Sequence, residues 1–189
     1  NEEATVYQIP KYPYPYARGA AGGIYTKMKN EDGDEEVQMI YPYDFYAVKR
    51  MHDPDRGESV LLRLHLPKDG VKEFTVPSSA VTSKEELRKY LSSKGVAMVK
   101  MDEMMSYVTT WVNHMQFTAA ADTARRQFGW TDDKCEAFVL GDKEIRADRI
   151  DHNPPSTSTG HLFSAFTPKG NIDKWKEAMA FYKRPDMEM

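Results

Sequence analysis

Residues 125–140, RRQFGWTDDKCEAFVL, hold the chain's strongest local signal for a fold. Gly129 and Trp130 precede the polar turn residues 131–133, and the apolar residues 137–140 follow them. Two short apolar runs around a polar turn are typical of a β-hairpin. A tryptophan can bury about 150–250 Å² of surface. The stretch therefore predicts a hairpin centred on Trp130, with a hydrophobic core forming around it.

Trp130 has two interpretations from the sequence alone. As a buried structural anchor, its replacement by alanine would cost about 3–5 kcal/mol through the cavity left behind. As an exposed aromatic platform flanked by Arg125 and Arg126, it would stack on a nucleic-acid base. The first interpretation assigns Trp130 to stability, and the second makes it a candidate nucleic-acid-binding residue.

Composition restricts the class of protein. The chain has 189 residues, of which 40% are hydrophobic and 29% charged, enough for a core in one compact domain or two small ones. No apolar run reaches the roughly 18 residues of a membrane span, and no leader pattern is present, so we expect a cytoplasmic protein without membrane partners. The net charge of −3 implies that any nucleic-acid contact is local.

The order of local signals predicts an α+β fold. Residues 24–76 alternate strand patterns with turns and predict an antiparallel β-meander, and helices are expected at 83–93 and 102–118. Strands first and helices later favour α+β over a wound parallel sheet. In the strand at 59–66, alternation predicts one buried face, with Arg63 and His65 on the other.

The chain is predicted to divide into three segments. Residues 1–23 form an extended lead-in rich in tyrosine and proline, which packs either along its own domain or on a neighbouring subunit. Residues 24–150 form the α+β domain. Residues 151–189 form a connector, a short apolar strand at 162–166 and a helix that carries Trp175.

Basic side chains supply the other candidate contacts with nucleic acid. The predicted helix at 83–93 turns Leu87 and Leu91 inward, which leaves a basic face on the solvent side. We expect one local cluster of phosphate contacts, drawn from the helix and the hairpin entry. Its candidate members are Lys84, Arg88, Lys89, Arg125 and Arg126.

No residue pattern predicts catalysis or a metal site. The sequence has no nucleophile elbow, no HExxH and no phosphate-binding Gly-Lys-Ser/Thr loop. Cys135 is the only cysteine, and no histidine has a partner at helical i+4 spacing. We therefore assign no catalytic residue, no metal ligand and no cofactor to this chain.

A set of segments carries a resemblance to a known family. They are GGIYTK (22–27), IYPYDFYAVKRMHD (40–53), ESVLLRLHLPKDGVKEFTVPSSAV (58–81), KEELRKYLSSKGV (84–96), RRQFGWTDDKCEAFVLGDKEI (125–145) and PKGNIDKWKEAMAFY (168–182). In order and spacing they resemble uncharacterised domains of phage and plasmid replication proteins. In that family the region precedes a RecA-like or AAA-type ATPase of a helicase or primase-helicase.

The resemblance implies an accessory domain that guides single-stranded DNA or organises subunits beside the motor. It implies a downstream ATPase domain that would use ATP and Mg²⁺, and it allows a homo-oligomer. It carries over no catalytic residue, and we expect the chain to be a segment of a longer protein. Two alternatives stay open: an interaction domain without nucleic-acid contact, and a small stand-alone enzyme.

Overall fold

The computed structural model describes residues 7–29, 33–54, 57–125, 128–154, 162 and 171–181. Antiparallel sheets and helices confirm the predicted α+β class. The described residues fall into two compact units, a larger one up to Arg125 and a smaller one from Phe128 onward. None of the described helices is both long enough and apolar enough to cross a membrane.

The larger unit contains two sheets and three helices. A three-stranded sheet has the order β1-β2-β3, and a four-stranded sheet has the order β6-β5-β4-β7. Its strands are β1 (Tyr16–Arg18), β2 (Ile24–Lys29), β3 (Glu35–Tyr41), β4 (Phe45–Asp53), β5 (Gly57–Leu66), β6 (Gly70–Pro77) and β7 (Asp122–Thr123). Its helices are α1 (Ser78–Val81), α2 (Lys84–Ser93) and α3 (Met101–Thr118).

The described part of the smaller unit contains one four-stranded sheet and one helix. The sheet has the order β11-β10-β9-β8. Its strands are β8 (Gly129–Trp130), β9 (Ala137–Leu140), β10 (Lys143–Arg146) and β11 (Ile150–His152), and the helix is α4 (Ile172–Phe181). Of the strand predicted at 162–166, only Leu162 lies within the described residues.

Both predicted helices of the larger unit form, and local chemistry explains their ends. Ser83 caps α2 by accepting a hydrogen bond from Glu86 N–H at 3.4 Å, which satisfies one donor of the first turn. Leu87 and Leu91 are buried, as their spacing predicts. Gly95 follows α2 with φ +83°, the left-handed conformation that commonly ends a helix.

The main core lies between α3 and the sheets of the larger unit, and not around Trp130 as the sequence predicted. Tyr107 is fully buried in α3 and donates a hydrogen bond to the Phe45 carbonyl of β4 at 2.5 Å. Trp111 lies one turn later and is also buried. The prediction of a core at Trp130 is wrong because α3 contributes seven buried residues to this cluster.

Strand β5 is buried on both faces, which corrects the predicted single face. Leu62 and Leu64 belong to the main core, whereas Leu61 packs with Met51 and Ala124 in a second small cluster on the other face. Ala124 reaches this face because β7 pairs in parallel with the end of β4. The alternation was correct, but a segment 60 residues away covers the face that was expected to be exposed.

The extended lead-in packs on its own unit, as one of the two sequence alternatives predicted. Tyr12 is buried, with ring centroids 5.8 Å from Tyr107 and 6.0 Å from Trp111. Tyr16 lies 5.0 Å from Tyr107 in an edge-to-face contact. These aromatic contacts attach the described part of the lead-in to α3.

A buried carboxylate joins the lead-in to the sheet. Asp44, just before β4, accepts hydrogen bonds from Arg18 Nε at 2.8 Å and Arg18 Nη2 at 2.6 Å. Gly23 N–H and the Tyr12 hydroxyl also donate to it, at 3.1 Å and 3.2 Å. Gly22 has φ +97°, and a Cβ there would lie 3.1 Å from Asp44 Oδ2. Glycine therefore lets the turn close on the carboxylate.

These donors set the ionisation of Asp44. Burial alone would raise the pKa of its carboxyl group, but the Arg18 hydrogen bonds, with those from Gly23 and Tyr12, hold the pKa below its ordinary value of 3.8. A depressed carboxyl pKa stabilises the folded state above the unfolded-state pKa. That contribution is lost as the pH falls through the folded-state value.

Replacing Asp44 with asparagine is expected to lower the free energy of unfolding by about 1.5–3 kcal/mol at neutral pH, the range for hydrogen bonds to a charged group. The deficit relative to the parent should shrink below about pH 4, where the parent also loses the carboxylate. Urea unfolding at several pH values measures both. Asp69→Asn, in an exposed pair with Lys72, is the matched control and should change little; equal losses in both variants would contradict the role of Asp44.

Candidate functional site

The sheet of the smaller unit aligns four apolar side chains across its strands. Trp130 lies opposite Phe138, Phe138 opposite Ile145, and Ile145 opposite Ile150. Directly paired residues of antiparallel strands project on the same face. These four residues form one continuous row, which we call the apolar row.

The apolar row faces solvent. Trp130 is 52% exposed and Ile150 is 65% exposed, while Phe138 and Ile145 are half-buried. Antiparallel sheets with one solvated face normally carry polar residues there. An exposed apolar stripe across a sheet is typical of an interaction surface.

The opposite face of the same sheet is the internal one. Ala137 and Val139 are each 1% exposed. Glu144 is also buried on this side, and its carboxylate accepts hydrogen bonds from Arg146 and from Asn153 Nδ2. The buried side chains of Ala137, Val139 and Glu144 therefore occupy the face opposite the apolar row.

Aromatic contact and a hydrogen-bonded loop hold Trp130 in place. Its ring packs edge-to-face on Phe138, with centroids 5.1 Å apart and planes at 83°. Thr131 N–H donates to the Ala137 carbonyl at 2.9 Å, and Lys134 N–H donates to Asp132 Oδ1 at 2.9 Å. The indole is therefore presented by a fixed turn.

A neighbouring set of paired residues brings polar chemistry beside the apolar row. Lys143 pairs with Leu140 and with His152, so these three side chains share the exposed face. His152 Nδ1 lies 3.3 Å from Asp142 Oδ2. The hydrogen bond from His152 outweighs burial and lowers the pKa of the Asp142 carboxyl. An exposed cation and an anion thus flank the row.

The exposure of Trp130 tests its interpretation as a buried anchor. Its exposure of 52% shows that the interpretation as a buried anchor is wrong. The reason is that the strand places Trp130 on the uncovered face, whereas Val139 of the paired strand takes the internal position. The sequence analysis did not identify Phe138, Ile145 and Ile150 as candidate site residues. The two-residue turn at Gly141 and Asp142 could have predicted the pairing that aligns them.

The basic candidates of α2 are exposed as predicted, but two of them have acidic partners. Lys84 Nζ lies 2.7 Å from Asp102, and Lys89 Nζ lies 2.8 Å from Glu86. Arg88 forms no ion pair within the described part of the chain. Exposed ion pairs contribute little to stability. The three cations also remain in contact with solvent.

The structure brings Lys84 and Arg88 together at one surface cleft. The cleft has a volume of about 400 Å³ and also contains Lys100. Asp102 and Glu103 line it as well, so its three cations face two carboxylates. Lys89 does not line this cleft. Because the cleft has only a small excess of positive charge, it is a poorer anion site than the basic face of the helix suggested from the sequence.

Arg125, which precedes the hairpin, is not among the residues that line this cleft. Arg125 is half-buried and belongs to the larger unit. Arg126 lies outside the residues that the structure describes. Trp130 belongs to the smaller unit. Of the predicted cluster of five cations, the described residues therefore assemble only Lys84 and Arg88.

Metal chemistry has no support among the described side chains. No group of three or more His, Cys, Asp or Glu residues in that part of the chain is arranged to hold a metal ion. Cys135 is exposed in the turn between β8 and β9.

A family profile described as "Domain of unknown function (DUF927)" matches residues 17–187, which is most of the chain. No curated protein matches the chain significantly.

Replacing Trp130 with alanine is expected to lower the free energy of unfolding by about 1 kcal/mol, mainly through the lost contact with Phe138. The 3–5 kcal/mol of a buried aromatic does not apply because half of the ring is already in water. Val139→Ala is the control and should cost more, about 2 kcal/mol, since Val139 is buried on the internal face. Thermal or urea unfolding would contradict this assignment if the order of the two losses were reversed.

Proposed function

The chain belongs to the DUF927 family of domains of unknown function, and we propose that it is a non-catalytic accessory domain that holds single-stranded DNA beside a replicative motor. The observation that carries the proposal is the solvent-exposed apolar row with Trp130 and Phe138. The sequence resemblance to the accessory domains of phage and plasmid helicases and primase-helicases supports the same function.

Base stacking is the interaction that this surface supports best. Stacking of a base on an aromatic side chain contributes about 1–3 kcal/mol and tolerates any sequence, because every base has a π-face. Four-stranded sheets that bind RNA use exposed aromatic residues to stack two or three bases. The apolar row crosses four strands, or roughly 14 Å at the usual spacing between strands. It has room for neighbouring bases of one strand.

Electrostatics contributes less than stacking at this surface. The chain has a net charge of −3. Beside the apolar row, Lys143 supplies a positive charge on the same face of the sheet. Each phosphate contact on a single strand contributes about 0.7 to the slope of log affinity against log salt. We expect a shallow slope, equivalent to one or two phosphate contacts.

The wider assignments belong to the same proposal. A downstream ATPase domain would supply ATP and Mg²⁺ chemistry, and homo-oligomers around such a motor would place several apolar rows near one strand. A cytoplasmic location, in the host cell if the protein is encoded by a phage, accompanies this function.

A second candidate function is a protein-interaction domain that does not contact DNA. Exposed apolar surface also marks protein–protein interfaces, so the apolar row supports this alternative directly. The two functions differ in one measurable property. Only the first predicts saturable binding of single-stranded DNA that depends on Trp130.

Fluorescence anisotropy with a labelled thymidine oligonucleotide tests the proposal. Trp130→Ala and Phe138→Ala are each expected to weaken binding by about tenfold, the loss of one stacked base. Trp175→Ala is the matched control, because Trp175 is similarly exposed at 58% on α4 but lies outside the row. Circular dichroism of each variant checks that it is folded.

Two results would contradict the DNA-binding function. If the parent domain fails to bind the oligonucleotide at low salt, the protein-interaction alternative is favoured. If Trp175→Ala weakens binding as much as Trp130→Ala while both remain folded, the apolar row is not the site.

A further inference from the structure

The larger unit contains a cavity that the proposed DNA-binding surface does not use. It has a volume of about 340 Å³ and lies between β4, the C-terminal half of α3 and the lead-in residues Gln8 and Pro10. We call it the strap cavity. The described residues that line it all belong to the larger unit.

An open strand edge forms one wall of the strap cavity. Five consecutive residues of β4, from Tyr46 to Arg50, line it. β4 pairs with β7 only at Met51 and His52, so no described strand covers the edge before them. The register with β5 also shifts between Ala47 and Lys49. Lys49 and Arg50 follow this irregularity, and both line the cavity at the strand edge.

The cavity is lined by cations without carboxylates. Lys49, Arg50 and Arg63 are among its described lining residues, which include no Asp or Glu. Their side chains are only 19%, 18% and 11% exposed, so they have little contact with bulk water. A cleft lined by one sign of charge between low-dielectric walls concentrates a field that attracts ions of the other sign.

The carboxylates that pair with these cations lie outside the cavity lining. Lys49 Nζ is 2.8 Å from Asp122, and Arg50 Nη2 is 3.1 Å from Glu58. Arg63 Nε is 2.6 Å from Glu73. These carboxylates are not among the described residues of the cavity lining.

Aromatic and apolar groups form the rest of the wall. Trp111 and Tyr46 line the cavity together with Ala47 and Met115. His114 also lines it, with its ring centroid 6.0 Å from that of Trp111. A simple inorganic anion would use the cations but leave these surfaces without a partner. A planar group joined to an anion would use both.

We propose that the strap cavity binds a free nucleotide, with its phosphate at Lys49 and Arg50 and its base against the exposed ring of His114. The volume lies at the small end of the roughly 300–1,000 Å³ typical of ligand sites. It suits one mononucleotide better than a passing strand. The site is separate from the apolar row, so neither proposal depends on the other.

Isothermal titration of the full chain with adenosine 5′-monophosphate tests the proposal. Saturable binding is expected, and adenosine and inorganic phosphate should each bind at least tenfold more weakly, because each lacks one half of the contacts. Lys49→Gln should weaken binding of the nucleotide about tenfold. Lys72→Gln is the matched control, since Lys72 is also a strand lysine in an ion pair but lies outside the cavity lining; it should leave the affinity unchanged.

A second variant tests the same site in case Lys49→Gln does not fold. His114 is exposed and its ring is not part of the core, so His114→Ala should fold normally and weaken binding several-fold. Trp130→Ala should bind the nucleotide as the parent does, whether or not it binds DNA.

Four results would overturn the nucleotide site. They are no binding of adenosine 5′-monophosphate by the parent, equal binding of inorganic phosphate, unchanged affinity in both Lys49→Gln and His114→Ala, and displacement of the nucleotide by an equimolar single-stranded oligonucleotide. The last would assign the strap cavity to a strand.

Discussion

The buried carboxylate of Asp44 is the constraint on which the larger unit depends. Moving a carboxylate out of water costs several kcal/mol unless its oxygens are fully hydrogen-bonded. Arg18, Gly23 and Tyr12 supply those hydrogen bonds, and each comes from chain that precedes the main sheet. The hydrogen bonds to the Asp44 carboxylate thereby hold the lead-in against α3 and close the turn before β2. The same placement brings Gln8 and Pro10 to the wall of the strap cavity.

The two units complete their sheets differently, and their surfaces differ as a result. In the larger unit, α3 covers one face of the main sheet, and Ala124 packs on Leu61 and Met51 on the other. In the smaller unit, the internal face is filled by residues such as Val139 and Glu144, and the opposite face keeps Trp130 in water. The face that keeps Trp130 in water is the surface that the proposed stacking of bases would use.

Ion pairing does not remove the electrostatic character of every cation in an acidic chain. At the cleft of α2 and α3, Asp102 lies in the same lining as Lys84, so the charges cancel where a ligand would sit. At the strap cavity, Asp122 and Glu58 pair with Lys49 and Arg50 from outside the lining. The proposed anion site therefore uses cations whose carboxylate partners are not among the described residues of the cavity lining.

Local patterns in the sequence were enough to predict the α+β class, the two helices of the larger unit and the inward pair Leu87 and Leu91. These features depend on residues a few positions apart, and their spacing can be recognised directly in the sequence. Only the tertiary structure decided that Trp130 is exposed, that β5 is covered on both faces, and that Lys49 and Trp111 share a cavity. Alternation shows that a strand has two faces, but which face is covered depends on packing between segments separated by 60 residues or more. That long-range packing leaves no local pattern in the sequence.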